Sequence, residues 1–156
     1  MTKNVIVPAH VIDETLVHLQ TAGGQDRECV VLWLASRQTE NFQVVACWKP
    51  EQQADYDYFQ IPESSMDTVM RELRMKRLMI AAQVHSHPNR AFHSRADDKW
   101  AIVRHEGALS LVLPHFALRT AKESFAKHAA VFILSRKNLW MEIPESKIHQ
   151  HYRILP

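Results

Sequence analysis

The chain has 156 residues, the size of one ordinary domain, with 46% hydrophobic and 23% charged residues. These proportions exclude a disordered chain, a collagen-like fibre and a disulfide-rich miniprotein, and 19 Lys and Arg against 17 Asp and Glu give a net charge of +2, too balanced to argue for a nucleic-acid or anionic-membrane partner. No apolar run approaches the roughly 18 residues of a membrane span, and residues 1–5 lack a signal peptide's apolar core, so a cytoplasmic location is expected.

In chain order, Val5-Ile6-Val7 reads as a short strand or lead-in, and Pro8 suits the first turn of a helix. Val11, Ile12, Thr15, Leu16 and Leu19 recur at helical spacing until Gly23-Gly24. Glu28–Ser36 is apolar and β-branched enough for a buried strand, with Asn41–Trp48 as its hairpin partner. Lys49–Pro62 reads as a long polar loop with room for a short strand at Tyr56–Ile61. A helix is predicted over Ser65–Arg77, with Met66, Val69, Met70 and Leu73 as its apolar stripe. A buried strand at Leu78–His85 follows, then a loop at Pro88–His93. A helix is predicted from Ser94 or Arg95 to about Glu106, stopped by Gly107. Leu109–Leu113 reads as a buried strand, His115–His128 as poorly patterned, and Ala129–Leu134 and Leu139–Ile143 as two strands joined by a turn. The tail from Pro144 shows no clear pattern. No repeat or linker interrupts residues 1–156, so a single domain is expected, with a core over about Val5–Ile143 and an α/β or α+β class.

Three residue counts narrow the chemistry. The chain has only three glycines, too few for a phosphate-binding Gly-rich loop. Its two cysteines, Cys29 and Cys47, lie in apolar runs and read as buried free thiols rather than a disulfide. It has ten histidines, and histidine is both the commonest metal ligand and the usual acid–base group.

The informative stretch runs from His85 to Asp98. His85 and His87, two apart at a strand end, point their imidazoles to one side of the sheet. Ser94 and Asp97 have the spacing of an N-cap and third helical residue. If that helix start packs over the strand end, two imidazoles and a carboxylate converge, the three-ligand arrangement of a catalytic zinc with one open position. Each half alone is weak. Ser64-Ser65-Met66-Asp67 in this same chain shows that Ser-x-x-Asp can be a plain cap.

His85-x-His87-Pro88 followed by Ser94-x-x-Asp97 resembles the signature of the JAMM (MPN+) zinc metalloproteases, and Asp97-Asp98 with its preceding His-Ser-Arg-Ala is similar to the bacterial branch associated with ubiquitin-like pathways. The resemblance extends to Glu28–Leu34 as the family's first core strand, to Leu78–Pro88, and to Ser110–Pro114 as the strand after the motif. It implies a single-domain α/β fold of the JAMM/MPN type, a mixed sheet flanked by helices. It implies zinc held by His85, His87 and Asp97, Glu28 as general base, and Ser94 as a hydrogen-bond donor to the developing oxyanion. The implied activity is hydrolysis of an amide bond to remove or process a ubiquitin-like protein. Such proteins or their conjugates are the implied partners, with activating and conjugating enzymes of the same pathway. The alternatives are a zinc peptidase with other substrates and a catalytically silent MPN scaffold. Five residues separate Pro88 from Ser94, one fewer than is usual in the better-known eukaryotic members. Asp97 keeps the register with Ser94, whereas Asp98 keeps the distance from His87.

Other residues read more plainly. Glu40 is the second candidate base, in a turn. His93 is either a partner of the site or a loop histidine, and His115 is a candidate to line the cleft. His105, His128, His149 and His151 are expected at the surface, and Trp33, Trp100 and Trp140 in the core. Tyr56, Tyr58 and Phe59 either anchor their loop in the core or form a partner-binding surface.

Overall fold

The computed structural model describes residues 4–36, 40–94, 97 and 102–156. Its elements in chain order begin with β1 (Val5–Pro8), α1 (Ala9–Gly23), β2 (Val30–Ser36) and β3 (Phe42–Trp48). A small hairpin, β4 (Gln53–Ala54) and β5 (Phe59–Gln60), leads to α2 (Glu63–Lys76), β6 (Leu78–Ser86) and β7 (Leu109–Leu113). Short 3-10 turns at His115–Ala117 and Lys122–Ser124 and a one-turn helix α3 (Phe125–His128) precede β8 (Ala130–Leu134) and β9 (Trp140–Glu142). A 3-10 segment, Glu145–Gln150, and β10 (Tyr152–Leu155) close the chain. Among the described residues, eight strands form one mixed sheet in the order β10-β1-β3-β2-β6-β7-β8-β9. β1 runs parallel to β10 and β3, and β6 runs parallel to β7, while the other neighbours are antiparallel.

The period-two geometry of β2 sends its side chains to two cores. Val31, Trp33 and Ala35 pack with Val11, Ile12, Leu16 and Leu19 of α1, and Leu32 and Leu34 pack with Val69 and Leu73 of α2. A strand covered on both faces must be apolar throughout, and Val30–Ala35 is wholly buried. Thr15 is the polar exception on the inner face of α1. Its hydroxyl donates to the Val11 carbonyl and accepts the Trp33 indole N–H at 2.9 Å, so neither buried polar group is left unmet. None of the described helices is long and apolar enough to cross a membrane.

Several expectations are corrected. The helix predicted from Ser94 or Arg95 to about Glu106 does not reach that far: Asp97 is helical, but residues 102–106 are irregular. The backbone N–H of Ile102 donates instead to the buried Gln83 side chain at 3.0 Å, a tertiary partner that replaces the helical one. The unpatterned tail forms β10, whose register with β1 pairs Val5 with Tyr152, and Tyr152 joins the main core. Met70 does not belong to the buried stripe of α2, being 45% exposed, because the helix buries only a narrow face through Ser65, Val69 and Leu73. His105 and His128 are half-buried and hydrogen-bonded to the Ile80 carbonyl and the Thr120 hydroxyl, and His151 is half-buried as well; His149 is exposed as expected. Trp33 is buried, Trp140 is half-buried against the second core cluster, and Trp100 lies outside the described residues. Both cysteines are free; Cys29 is buried and Cys47 half-buried.

Candidate metal centre

The site is built on the end of β6. Ser86, between the two histidines, accepts the Cys29 N–H through its hydroxyl, and its own N–H donates to the Cys29 carbonyl. These bonds lock the residue after Glu28 beside the residue between the imidazoles. Glu28 is thereby held at the head of β2, with one carboxylate oxygen 3.8 Å from His87 Nε2. On its other side the Glu28 N–H donates to the Asp55 carbonyl, and the Gln52 side chain bonds both the N–H and the C=O of Val30. The segment carrying β4 and β5 is thus strapped along the start of β2. Gln52 and Gln83 carry no signal in the sequence, since a polar residue's long-range backbone partner leaves no local signature.

His87 lies just past β6 but continues its pairing. Its N–H donates to the Leu113 carbonyl at 2.9 Å, and its carbonyl accepts the Phe116 N–H at 2.7 Å. That second bond comes from an uncommon turn. His115, Phe116 and Ala117 all have positive φ, between 54° and 60°. Left-handed backbone costs a non-glycine residue roughly 1–2 kcal/mol, so the surrounding packing must hold these three. Gly23 at the end of α1 is part of that packing: a Cβ there would stand 2.6 Å from Phe116 Cβ and 2.7 Å from the Phe116 carbonyl oxygen. The half-buried His115 donates its backbone N–H to the Asn89 carbonyl, tying down the loop after His87.

The third donor comes from Asp97. The Ser94 N–H donates to Asp97 Oδ2 at 2.8 Å, and the Asp97 N–H donates to the Ser94 hydroxyl at 3.0 Å, a reciprocal capping arrangement. The same Oδ2 lies 3.2 Å from His85 Nε2 and 3.1 Å from His87 Nε2, and the two Nε2 atoms are 3.2 Å apart. Asp98 lies outside the described residues. His85, His87 and Asp97 are buried, at 0%, 3% and 6% exposure, and Glu28 is at 3%. Glu40 is exposed at the opposite end of β2 from Glu28. Around the imidazoles stand Phe59, 5.2 Å from His85 by ring centroids, and Phe92, 4.6 Å from His87. Of the three loop aromatics, Phe59 is therefore the core anchor, while Tyr56 and Tyr58 are 50% and 46% exposed.

The electrostatics separate the two carboxyls. Burial pushes Glu28 up, and the negative charges of Asp97 and Asp57 add to it, raising it to about 8. Burial works on Asp97 in the same direction but is outweighed by the charge of His85 and by hydrogen bonds from His85, His87 and the Ser94 N–H, which hold it well below the usual carboxylate range. Asp97 thus stays ionised while Glu28 holds its proton readily.

The donor set fits a metal ion. A tetrahedral ion with bonds of about 2.0–2.1 Å separates its donor atoms by roughly 3.3–3.4 Å, and the three atoms here form a triangle with sides of 3.1–3.2 Å. His85, His87 and Asp97 also form, among the described residues, a set of metal-capable side chains whose donor atoms lie within 4.8 Å of one another. No family model matches the sequence. A protein of Sinorhizobium fredii named probable metalloprotease y4jG is 32% identical over 149 residues, covering 92% of this chain and 90% of its own.

The chain belongs to this metalloprotease family.

Among solved structures, protein DSY2949 of Desulfitobacterium hafniense superposes with a TM-score of 0.67 over 97% of this chain and 92% of its own, at 14% identity. That likeness concerns the fold, a mixed α/β domain. With the family and the His-His-Asp triad together, this metalloprotease is a metal-dependent peptidase, and His85, His87 and Asp97 are a set of side chains able to hold the ion.

Proposed function

We propose that this metalloprotease is a JAMM-type zinc peptidase that removes or processes a ubiquitin-like protein in the cytoplasm, by hydrolysing an isopeptide bond to lysine or a C-terminal peptide bond. The observation that carries the reading is the buried N,N,O triangle of His85, His87 and Asp97 with the protonatable Glu28 3.8 Å from His87. Two imidazoles and one carboxylate suit zinc, and leave it a position for water or substrate. Zinc bound there would supply Lewis acidity, lowering the pKa of water toward ~7 and polarising a carbonyl.

The remaining work falls to side chains. Glu28 accepts the proton of the attacking water and returns it to the departing amine nitrogen, which is a poor leaving group until protonated. Without a cation burial raises it to about 8, so it must first ionise to take that proton, which a neighbouring positive ion favours. The Ser94 hydroxyl already accepts the Asp97 N–H, so its own proton is available to the carbonyl oxygen as negative charge develops. Tyr56 and Tyr58, exposed on the segment strapped beside Glu28, would contact the substrate. The free Cys29 and Cys47 suit a reducing compartment. Activating and conjugating enzymes of the same pathway are the proposed partners.

The test is cleavage of a ubiquitin-like protein joined to lysine, beside a panel of unrelated peptides, by zinc-loaded protein. Cleavage of the conjugate that a chelator and His87→Ala both abolish is expected. Hydrolysis of the unrelated peptides alone would replace the substrate assignment, and chelator-insensitive activity would remove the metal.

A further inference from the structure

His85 and His87 belong to one strand and its continuation, so the sheet itself aligns them. Asp97 is not on that strand, yet its Oδ2 sits within 3.2 Å of both imidazoles. The only described bonds that orient its carboxylate from outside the triad involve Ser94. Among the described residues, what holds Ser94 therefore bears directly on where the third donor sits. The residue before it, His93, has its ring 5.1 Å from Phe132 and 5.1 Å from Trp140, tilted by 44° and 38°, and 6.2 Å from His85 edge-on. Phe132 is on β8 and Trp140 on β9, strands that contribute no donor to the site.

We propose that His93 is the positioning residue for the third metal donor: packed against Phe132 and Trp140, its ring anchors Ser94 to the β8–β9 hairpin, and Ser94 aims Asp97 at the two imidazoles. The inference rests on the metal-centre reading. The described contacts of this ring with the sheet are aromatic, tilted against Phe132 and Trp140, so its flat area is the contribution proposed. Without the ring, the loop from Pro88 to Ser94 would keep the Asn89 tie to His115 and the Phe92 contact with His87 but lose its contacts with the β8–β9 hairpin. The Ser94 N–H would then wander relative to the sheet, and each imidazole would meet a mobile carboxylate. Residues that orient metal ligands typically contribute about 10–100-fold to metal affinity.

The experiment measures zinc affinity of the metal-free, full-length protein by competition with a chromophoric chelator, alongside the melting temperature without metal. Wild type should take up one zinc per chain, and Asp97→Asn should not. His93→Ala should bind zinc about 10–100-fold more weakly, while His93→Phe, which keeps a flat ring, should recover to within about threefold of wild type. Trp140→Ala leaves His93 in the chain and removes one of its two ring contacts with the hairpin, on the short outer strand of the sheet. It should weaken zinc severalfold, and it carries the test if His93→Ala does not fold. Unchanged affinity in His93→Ala would overturn the inference. So would a His93→Phe variant as weak as His93→Ala, since a ring nitrogen rather than the packed ring would then be at work. Those outcomes leave zinc uptake by wild type intact. A wild type that takes up no zinc would instead overturn the metal centre, and this inference with it.

Discussion

Replacing Glu28 by glutamine changes one oxygen to nitrogen and should have opposite effects on stability and catalysis. In the metal-free protein the Glu28 carboxyl is raised from 4.5 to about 8. The folded state therefore binds more protons than the unfolded state between those values, and stability falls as pH rises through this window. At ~1.4 kcal/mol for each tenfold change in proton affinity, holding the ionised carboxylate costs on the order of 5 kcal/mol above pH 8. Glutamine has no proton to lose, so Glu28→Gln should flatten this slope and melt above wild type at pH 8. Hydrolysis by the zinc-loaded variant should nevertheless fall by roughly 10²–10⁴-fold, mainly in kcat, the usual contribution of a positioned acid–base group. Zinc content should not change, because Glu28 lies outside the triangle of donors. Melting curves of metal-free protein from pH 5 to pH 9, zinc analysis and turnover together decide it. A variant with full activity would remove Glu28 from the mechanism. One that loses zinc would make it a ligand, and one with the wild-type pH slope would show that another group carries the titration.

The remaining predictions use the same protein. Asp97→Asn should abolish metal uptake and Asp98→Asn retain it, read by metal analysis of the purified variants; the reverse would mean that distance from His87 decides the ligand. Because Asp97 is held below its ordinary value of 3.8, its contribution to metal-free stability should be present above that pH and be lost as the pH falls below it, and acid melts of Asp97→Asn should lack that loss. Gly23→Ala should push its methyl group into Phe116, displace the left-handed turn that bonds the His87 carbonyl, and lower both the melting temperature and zinc affinity; a neutral result would show that the turn yields freely. Tyr58→Ser should raise substrate KM severalfold with little change in melting temperature, since the ring is 46% exposed, and a large drop in thermal stability would assign it to packing instead.

Local chemistry made much of this fold legible in the sequence. Helical spacing in Val11, Ile12, Thr15, Leu16 and Leu19 marks α1, and mainly apolar runs mark β2, β6 and β7, because buried elements must be largely apolar on each covered face. His85 and His87 could be placed on one side of a strand by period alone, and Ser94 with Asp97 at a helix start by capping spacing. The bounds failed where long-range partners compete with local ones. Gln83 takes the Ile102 N–H, ending any helix before Glu106, and Tyr152–Leu155 becomes a strand only because β1, at the other end of the chain, offers an edge to pair with. The convergence of the site is tertiary in the same way. Ser86 and Cys29 bond across 57 positions of sequence to set Glu28 beside His87, and the Ser94–Asp97 pair brings one carboxylate oxygen within 3.2 Å of two imidazoles. Residue type and spacing name the donors, but only the packed chain sets the distances between them, because the bonds that fix those distances join residues with no local pattern in common.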